Sequence, residues 1–375
     1  MKKILPISIV LVGLLTTPAG AQTEKSNKPP FRVEVVARNL QVVWSIVFPS
    51  KEVTLLTERP GTVRALVKGQ LLAQPLLTLT DIDATFKLGA MGLTLHPSFA
   101  KNHWVYLAYS YKGPEGPKVR VVRYTFDEKA LLQSPAQALT NRTTIIENIP
   151  AFTNHAGCRL RFGPDKKLYI TTGDANVPDL AQKLDSLAGK MLRLNDDGTI
   201  PKDNPFVGRA DARPEIWTYG HRNSQGFDFQ PGTNLLFESE HGPVGGDEIN
   251  IIEKGKNYGW PVAHHELFTG GMEPPLLLYG LPSLAPGSGS FYRGKLFPQY
   301  RGDFFVGCMR SECILRVKLQ GRRVISQERL LEHQYGRIRE VAEAPDGSIY
   351  FSTSMMESDG RPLPEYDQIL RLVPG

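Results

Sequence analysis

Two neighbouring stretches of this chain combine side chains that rarely share a packed core. Residues 217–226 include a His-Arg-Asn triplet, and residues 239–250 include an Asp-Glu pair among several glycines. Buried polar groups must be paired, so a hydrophobic core has little use for this mixture. Glycines let the main chain approach a ligand closely. The two stretches therefore predict a binding site for a polyanionic ligand together with a hard cation.

A second cluster contains a candidate general base. Asn154 and His155 directly precede a strand-like segment that ends at Asp174. Histidine is the natural general base near neutral pH, above all when a carboxylate or an amide orients its ring. The pattern therefore indicates His155 as a candidate base. The alternative is a loop histidine whose hydrogen bonds are satisfied within the protein.

Four arginines are candidates for contacting an anion. Arg222 offers a fixed fork of donors that suits a carboxylate or a quinone oxygen. Arg337 and Arg339 are two residues apart in a strand-like segment and point to the same face, and Arg310 lies upstream. Cations placed side by side need either an anion or separate solvation. The alternatives are that Arg222 pairs with a nearby carboxylate and that residues 337–339 form a solvated edge strand.

A further cluster has the composition of a metal site. Residues 242–248 combine a Gly-Pro turn with Asp247 and Glu248, and residues 257–261 have the sequence Asn-Tyr-Gly-Trp-Pro. Main-chain carbonyls and carboxylates are the hard oxygen ligands that suit calcium, although the spacing is not that of an EF-hand. A network of turns without a metal is the alternative.

The elements that must position these clusters repeat along the chain. Short runs rich in aromatic and β-branched residues favour strands, and turn signals separate them. Each of six such runs follows a proline, at positions 49, 97, 164, 231, 298 and 345. Helical patterns are scarce, and the best candidate, residues 180–187, spans one or two turns. Six repeats of roughly 59 residues predict an all-β, six-bladed β-propeller with four-stranded antiparallel blades. A β-sandwich pair or a β-helix is the structural alternative.

The N-terminus has the pattern of a secretory signal. Two lysines precede an apolar run over residues 4–15, and small residues end at Ala21. We therefore expect a signal peptide over residues 1–21, cleaved after about Ala21, and a single propeller domain over residues 22–375. No later run is long and apolar enough to cross a bilayer, so we expect no membrane span.

Charge and cysteine content limit the partners further. The formal net charge is +6, spread along the chain without a run of five like charges, so nucleic-acid binding is not indicated. The chain has three cysteines, and Cys158 is expected to be buried. Cys308 and Cys313 flank four residues between two apolar runs and would face each other across a hairpin. Whether an exported chain joins them as a disulfide is left open.

Together these motifs resemble the soluble pyrroloquinoline quinone (PQQ)-dependent sugar dehydrogenases. This is the glucose/sorbosone dehydrogenase group, which includes the periplasmic aldose sugar dehydrogenases. The resemblance spans about residues 44–372. It rests on ordered matches at residues 57–61, 92–97, 154–174, 187–190, 203–206, 219–223, 240–243, 246–250, 257–261 and 337–339. It implies a six-bladed propeller, PQQ and Ca²⁺ as cofactors, a periplasmic location, and oxidation of an aldose at its anomeric carbon.

The resemblance also implies roles for individual residues. His155 matches the general base that takes the proton from the anomeric hydroxyl, while hydride passes to C5 of PQQ. Arg222 matches the residue that polarises the C5 carbonyl. The residues implied to contact PQQ are Lys87, Asn154, Arg222, Asn223, Arg310, Arg337 and Arg339.

Four residues are implied to bind metal. The carbonyls of Gly242 and Pro243 match ligands of the calcium that PQQ itself chelates. Glu248 and Tyr258 match a second, structural calcium site of the periplasmic aldose enzymes.

Two positions depart from the pattern of the family. Lys87 stands where glutamine is common, and Arg310 stands where many members have lysine. Both place positive charge towards an anion, so PQQ binding is expected to persist. Lys87 is also a candidate for altering the reactivity of the quinone.

Two other functions compete with the dehydrogenase. One is an extracellular propeller that binds a sugar or a partner without turnover. The other is a calcium-dependent lactonase, which would need several acidic or amide side chains around a central ion. The joint presence of His155, Arg222, Asn223 and the 337–339 arginines favours the dehydrogenase. Because no Cys-x-x-Cys-His haem motif is present, electrons must pass to an external acceptor, a quinone or a cytochrome. The sugar and the oligomeric state, monomer or homodimer, are left open.

Overall fold

The chain folds into a ring of small antiparallel sheets. The computed structural model describes residues 30–267, 270–355 and 367–375, and within these ranges the strands form six sheets. In each sheet one end strand lies at the centre of the ring, where it packs against the central strands of the neighbouring sheets. The predicted all-β, six-bladed propeller is thereby confirmed. The predicted signal peptide, residues 1–21, lies outside the described residues.

The six blades follow the chain in order. Blade 1 contains β2 (Val43–Val47), β3 (Val53–Glu58), β4 (Thr62–Val67) and β5 (Gln70–Leu71), and β6 (Leu77–Thr78) also pairs with β4. Blade 2 contains β7 (Ala90–Leu95), β8 (Trp104–Gly113), β9 (Gly116–Phe126) and β10 (Leu139–Pro150). Blade 3 contains β11 (Gly157–Phe162), β12 (Leu168–Thr172), β13 (Lys190–Leu194) and β14 (Ile216–Tyr219).

The second half repeats the arrangement. Blade 4 contains β15 (Ser224–Phe229), β16 (Leu236–Glu240), β17 (Asp247–Ile252) and β18 (Leu277–Tyr279). Blade 5 contains β19 (Ser290–Phe291), β20 (Phe304–Cys308), β21 (Cys313–Gln320) and β22 (Arg323–Leu330). Blade 6 contains β23 (Ile338–Glu343), β24 (Ile349–Thr353), β25 (Asp367–Pro374) and, as its outermost strand, β1 (Phe31–Leu40).

The ring is closed by its two ends. Strand β1 pairs antiparallel with β25, with Val33 opposite Leu372. The last blade is therefore completed by the beginning of the described chain, and the radial arrangement leaves only the short, protected edges of the individual blades.

The six prolines mark the same position in every blade. Each stands in the connection between the first and second strand, and the apolar run after it is the second strand, namely β3, β8, β12, β16, β20 and β24. The repeat that the sequence predicted is thus the blade itself.

Over residues 30–267 and 270–354 the helical structure consists of single short elements between strands. These are α1 (Phe99–Asn102), α2 (Glu128–Gln133) and the 3₁₀ turns Pro135–Gln137, Pro178–Ala181 and Pro298–Tyr300. Of the helical turns predicted over residues 180–187, only the end of the 3₁₀ turn Pro178–Ala181 forms. The carbonyl of Leu180 accepts one further turn hydrogen bond, from the N–H of Lys183 at 3.2 Å, whereas the carbonyl of Ala181 accepts from the side chain of Lys190 and the N–H of Gly220 and not from a continuing helix.

The hydrophobic core lies between neighbouring blades. Tyr106 of β8 and Leu160 of β11 belong to one buried cluster, and Phe305 of β20 and Phe351 of β24 belong to another. Removing a buried aromatic side chain of this kind costs about 3–5 kcal/mol. This packing fixes the angle between blades and therefore the position of the residues at the centre of the ring.

All three cysteines are buried thiols. Cys308 and Cys313 lie directly opposite each other at the ends of β20 and β21, as the hairpin interpretation required, but no disulfide joins them. Among the described residues, no helix has the length and apolar character needed to span a membrane.

Candidate active site

One end of the central channel forms a cavity of about 380 Å³. It lies where the inner strands β7, β11, β15 and β23 begin, so residues at or just before these strands reach it from several blades. Eight residues predicted for catalysis or cofactor binding line this one cavity: Lys87, Asn154, His155, Arg222, Asn223, Arg310, Arg337 and Arg339. The fold therefore brings together groups that lie far apart in the sequence.

His155 is fixed by a buried carboxylate. Its Nδ1 lies 2.9 Å from Oδ1 of Asp174, and Oδ1 also accepts a 2.8 Å hydrogen bond from the main-chain N–H of Asn176. Oδ2 of Asp174 accepts a 2.8 Å hydrogen bond from the indole N–H of Trp260. An ionised carboxylate only accepts, so Nδ1 of His155 is assigned as the donor. Nε2 then has the lone pair and is the ring atom that can take a proton.

The loop that presents His155 is tightly constrained. His155 has a left-handed backbone with φ of 54°, a conformation that is uncommon outside glycine. At Gly173 an added Cβ would lie 1.9 Å from the carbonyl oxygen of His155. Any larger residue at position 173 would therefore displace the histidine from Asp174.

The partners of His155 have no recognisable signal in the sequence. Asp174 follows a strand after glycine, which is a common turn pattern, and Trp260 lies far away in the chain. Only the packing of the loop after β17 against blade 3 brings the Trp260 indole to Asp174.

Glu240 anchors the segment that contains Arg222 and Asn223. Its buried carboxylate accepts hydrogen bonds from the main-chain N–H groups of both residues, at 3.2 Å for Asn223, and lies 3.0 Å from Nδ1 of His221. The side-chain oxygen of Asn223 in turn accepts a 3.3 Å hydrogen bond from the main-chain N–H of Gly157. The His155 loop and the Arg222 segment are thus joined directly.

The guanidinium of Arg222 is held in place but keeps a donor available. Its Nη1 donates a 3.1 Å hydrogen bond to the carbonyl of His241, and its centre lies 5.3 Å from the ring of Trp260. Its Nε is buried and has no hydrogen-bond partner among the described residues. Burial lowers the pKa of Arg222. A buried donor without an acceptor is costly, so this atom fits a site built for an acceptor on a ligand.

The cavity has a strongly positive lining. Its cationic side chains are Lys87, Arg222, Arg310, Arg337 and Arg339, and within the described ranges no aspartate or glutamate lines it. Arg339 is buried, with its guanidinium 3.5 Å from the side-chain oxygen of Gln225 and 5.6 Å from the ring of Trp44. Five cationic side chains around one cavity suit a ligand with several negative charges.

A buried ion pair closes the channel below this cavity. Arg159 pairs with Glu340, and its guanidinium lies 4.3 Å from the ring of Trp44. A second cavity of about 420 Å³ opens at the other ends of the inner strands. It is slightly larger, but its Arg293 already pairs with Asp228 at 2.8 Å, and none of the predicted site residues lines it. The smaller cavity is therefore the candidate active site.

The predicted metal-binding residues line a small neighbouring cavity. Gly242, Pro243, Glu248 and Tyr258 surround it, and Gly242 also lines the main cavity. The turn between β16 and β17 is tight, since a Cβ at Gly242 would lie 1.6 Å from the carbonyl oxygen of Gly246. The structure thus places all four residues together, beside the candidate active site.

The hydroxyl of Tyr258 is already engaged in two hydrogen bonds and is not available to a metal. Its Oη donates a 2.7 Å hydrogen bond to the carbonyl of Ile251 and accepts a 2.8 Å hydrogen bond from the main-chain N–H of Glu253. If Tyr258 is a ligand, the main-chain carbonyl is the oxygen that it offers.

Blade 4 also has a buried acidic face that was not predicted from the sequence. The register of β16 and β17 places Glu238 opposite Asn250 and Glu240 opposite Glu248, so all four side chains lie on one face. His221 covers this face, with Nδ1 3.4 Å from Oε1 of Glu238. Burial raises the pKa values of the three glutamates. A nearby cation would favour their ionised forms, so this set of hard oxygen donors fits calcium.

The fold and the site together define a class of protein, a propeller with a cationic central cavity and a histidine–carboxylate pair at its wall. The sequence matches the family Glucose / Sorbosone dehydrogenase over residues 40–365. The chain belongs to this family of oxidoreductases.

Individual relatives agree with this assignment. The aldose sugar dehydrogenase YliI of Escherichia coli is 36% identical over 344 residues, which cover 88% of this chain and 91% of YliI. The PQQ-bound aldose sugar dehydrogenase of Streptomyces coelicolor superposes with a TM-score of 0.80 at 29% identity, covering 92% of this chain and 99% of that one. The human Hedgehog-interacting protein is 29% identical over 285 residues, covering 67% of this chain and 38% of that protein.

Proposed function

We propose that this protein is a PQQ- and calcium-dependent dehydrogenase that oxidises aldose sugars at the anomeric carbon to lactones. One observation supports this above all. A single cavity lined by five cationic side chains also contains a histidine fixed at 2.9 Å by a buried aspartate. The cations suit a polyanionic quinone, and the histidine suits proton abstraction from a hydroxyl.

PQQ, when bound, supplies the two-electron acceptor of the reaction. The residues that would hold it are Lys87, Asn154, Arg222, Asn223, Arg310, Arg337 and Arg339. Arginine forks bind carboxylates and carbonyl oxygens through charge-assisted hydrogen bonds, and the buried Nε of Arg222 is a donor of this kind. The side-chain oxygen of Asn223 is already used by Gly157, so its amide nitrogen is the group left for the cofactor.

His155 acts as the general base. Its Nε2 takes the proton of the anomeric hydroxyl as the hydrogen on the same carbon leaves as hydride, which converts the C–O bond into the lactone carbonyl. Asp174 keeps the ring oriented through Nδ1 and stabilises the imidazolium that forms. The hydrogen bonds from Trp260 and Asn176 hold Asp174 still during this step.

Two calcium positions complete the proposal. The main-chain carbonyls of Gly242 and Pro243 would hold a calcium beside the cofactor, where it acts as a Lewis acid. Glu248 and the carbonyl of Tyr258 would hold a second calcium with a structural role.

Removal of calcium is expected to lower both cofactor affinity and stability. A chelator should weaken PQQ binding at least tenfold and lower the melting temperature, because the buried carboxylates of blade 4 then lose their counter-ion. Titration calorimetry and thermal unfolding with and without added Ca²⁺ measure these effects. In Glu248→Gln the rise in melting temperature with Ca²⁺ should shrink, whereas in Glu115→Gln, at the exposed β8–β9 turn, it should match the wild type. An equal rise in both variants would contradict a site at Glu248.

Lys87 is expected to contribute modestly to cofactor binding. The side chain is exposed at the rim of the cavity, so Lys87→Gln should weaken PQQ binding by only about two- to fivefold, as for other exposed charge pairs. The difference between the two proteins should shrink as salt is raised, because salt screens exposed charges. Titrations at low and high ionic strength check this. A loss of PQQ affinity that does not depend on salt would show that Lys87 does not act through an exposed charge interaction.

The competing function is a propeller that binds without turnover, which the similarity to the Hedgehog-interacting protein favours. The pairing of His155 with a buried Asp174 supports the enzyme instead, because a binding surface has no need of an oriented base. A calcium-dependent lactonase is disfavoured, since the acidic face of blade 4 lies beside the main cavity and not within it.

We further propose that the protein acts in the periplasm, as a monomer or homodimer, and passes electrons to a quinone or a cytochrome. Cofactor binding is tested first, by titrating the apo-protein with PQQ in the presence of Ca²⁺ and following tryptophan fluorescence. Trp44 lines the cavity, so its emission should be quenched on binding. Absence of saturable binding would refute the proposed cofactor.

A further inference from the structure

A fully buried lysine lies beneath the loop that contains Asp174. Lys190, the first residue of β13, has no exposed surface. Its ammonium donates hydrogen bonds to the main-chain carbonyls of Leu180 at 2.8 Å, Ala181 at 3.0 Å and Ala188 at 2.6 Å. An ammonium has three protons, so each has a partner. Among the described residues no carboxylate forms an ion pair with it.

All three carbonyls belong to the loop between β12 and β13, residues 173–189. The base of this loop is closed by the hydrogen bond from the N–H of Gly189 to the carbonyl of Gly173, at 2.8 Å. Above its base the loop has a single 3₁₀ turn as regular structure. The carbonyl of Leu180 also accepts a 3.2 Å hydrogen bond from the N–H of Lys183. The distinctive effect of the three bonds from Lys190 is therefore that one side chain ties three points of the loop to blade 3.

The same loop supports the Arg222 segment. The carbonyl of Ala181 also accepts a 3.0 Å hydrogen bond from the N–H of Gly220, and the N–H of Asp174 donates a 2.8 Å hydrogen bond to the carbonyl of Arg222. Through its side chain, Gln182 donates a 2.7 Å hydrogen bond to the carbonyl of Trp260, whose indole contacts Asp174. Movement of the loop would thus move Asp174, Trp260 and the main chain at Arg222 together.

Burial of the Lys190 ammonium costs free energy, because the charge is removed from water. Burial lowers the pKa of Lys190 to about 7. A hydrophobic side chain of similar length would fill the same space without desolvating a charge. Core packing alone therefore does not account for a lysine here, whereas the three carbonyls of an otherwise irregular loop do.

We propose that Lys190 is a positioning residue for the base of the dehydrogenase. Its ammonium fixes residues 173–189, and the fixed loop holds Asp174 against Nδ1 of His155. The kinetic consequence rests on the function proposed above. The structural consequence, the geometry of the His155–Asp174 pair, can be measured in the apo-protein without cofactor or substrate.

The test compares Lys190→Met with Lys167→Met. Lys167 belongs to the same blade and donates a 2.7 Å hydrogen bond to Asn195, away from the cavity, so it controls for loss of a lysine. In the wild type and in Lys167→Met, proton NMR of the apo-protein should show a downfield Nδ1–H resonance from His155, assigned by its absence in His155→Ala. In Lys190→Met this resonance should be lost or shifted. With PQQ and calcium, kcat should fall about 10²-fold, while KM for the sugar and Kd for PQQ change less than about threefold.

A second variant keeps the inference testable if Lys190→Met does not fold. Gln182→Leu removes the side-chain hydrogen bonds of the loop to Trp260 and Asn257 at a partly exposed position, and it should also shift the His155 resonance and lower kcat. An unchanged resonance in a folded variant would overturn the positioning role, even if stability were reduced. The resonance is measured without cofactor or substrate. A wild-type protein that does not oxidise sugars would therefore refute the proposed function, while the effect of Lys190 on the His155–Asp174 pair could still be measured.

Discussion

Replacement of His155 by alanine is expected to lower kcat by about 10²–10⁴-fold, the usual contribution of a general base, while PQQ remains bound. The reason is that the substitution removes Nε2, the proton acceptor, but leaves the five cations of the cavity in place. Steady-state dye reduction gives kcat, and fluorescence titration gives the affinity for PQQ. A matched control is His333→Asn, at a histidine whose side chain is 68% exposed and does not line the cavity.

Two outcomes of that experiment would contradict the account. Unimpaired turnover of His155→Ala would refute its role as the base. Loss of PQQ binding equal to the loss of kcat would show that His155 is mainly a cofactor contact, and the base would then have to be sought elsewhere in the cavity.

Replacement of Arg222 by methionine is expected to weaken PQQ binding by roughly 10–150-fold, the equivalent of one charged hydrogen bond at about 1.5–3 kcal/mol. Methionine approximates the length of the side chain and removes its donors, including the buried Nε that has no partner among the described residues. The resemblance to the sugar dehydrogenases also implies that Arg222 polarises the C5 carbonyl of PQQ, so kcat should fall as well. Titration of the apo-protein separates the two effects.

The control for Arg222 is Arg209→Met. Arg209 is an exposed arginine that pairs with Asp211 at 2.6 Å, and its loss should leave PQQ affinity and kcat unchanged. If Arg222→Met bound PQQ as tightly as the control variant, the guanidinium would have no contact with the cofactor.

Arg222 also lies at the boundary between two regions of opposite charge. Its side chain lines both the cationic main cavity and the small cavity beside the acidic face of blade 4, and Gly242 lines both as well. An anionic cofactor on one side and a calcium on the other would each meet complementary charge. Between positions 222 and 258 the predicted cofactor residues Arg222 and Asn223 come first and the predicted metal residues follow, so the two regions adjoin in the sequence as they do in space.

The sequence predicted the blades well because their signal is local. A proline, a turn and an apolar run recur at each junction between first and second strands, and every one of the six runs is a second strand. The site was predicted by residue type, since histidine, arginine and glycine-rich turns have recognisable chemistry. Resemblance to a known family then implied the individual roles.

The remaining features depend on contacts between distant segments. Asp174 acquires its role from the loop after β17, which brings the Trp260 indole to it, and no spacing rule connects the two. The acidic face of blade 4 depends on the register of β16 with β17. Lys190 could not be distinguished from an ordinary strand residue, because its three acceptors are main-chain carbonyls, which any sequence possesses.

The proposed dehydrogenase activity is tested by reconstituting the purified apo-protein with PQQ and Ca²⁺ and measuring dye reduction with a panel of aldoses. We expect reduction that requires the sugar, PQQ and Ca²⁺ together, with the lactone formed in equal amount to the reduced two-electron dye. PQQ binding without turnover on any aldose would contradict the dehydrogenase and favour a propeller that only binds its ligand.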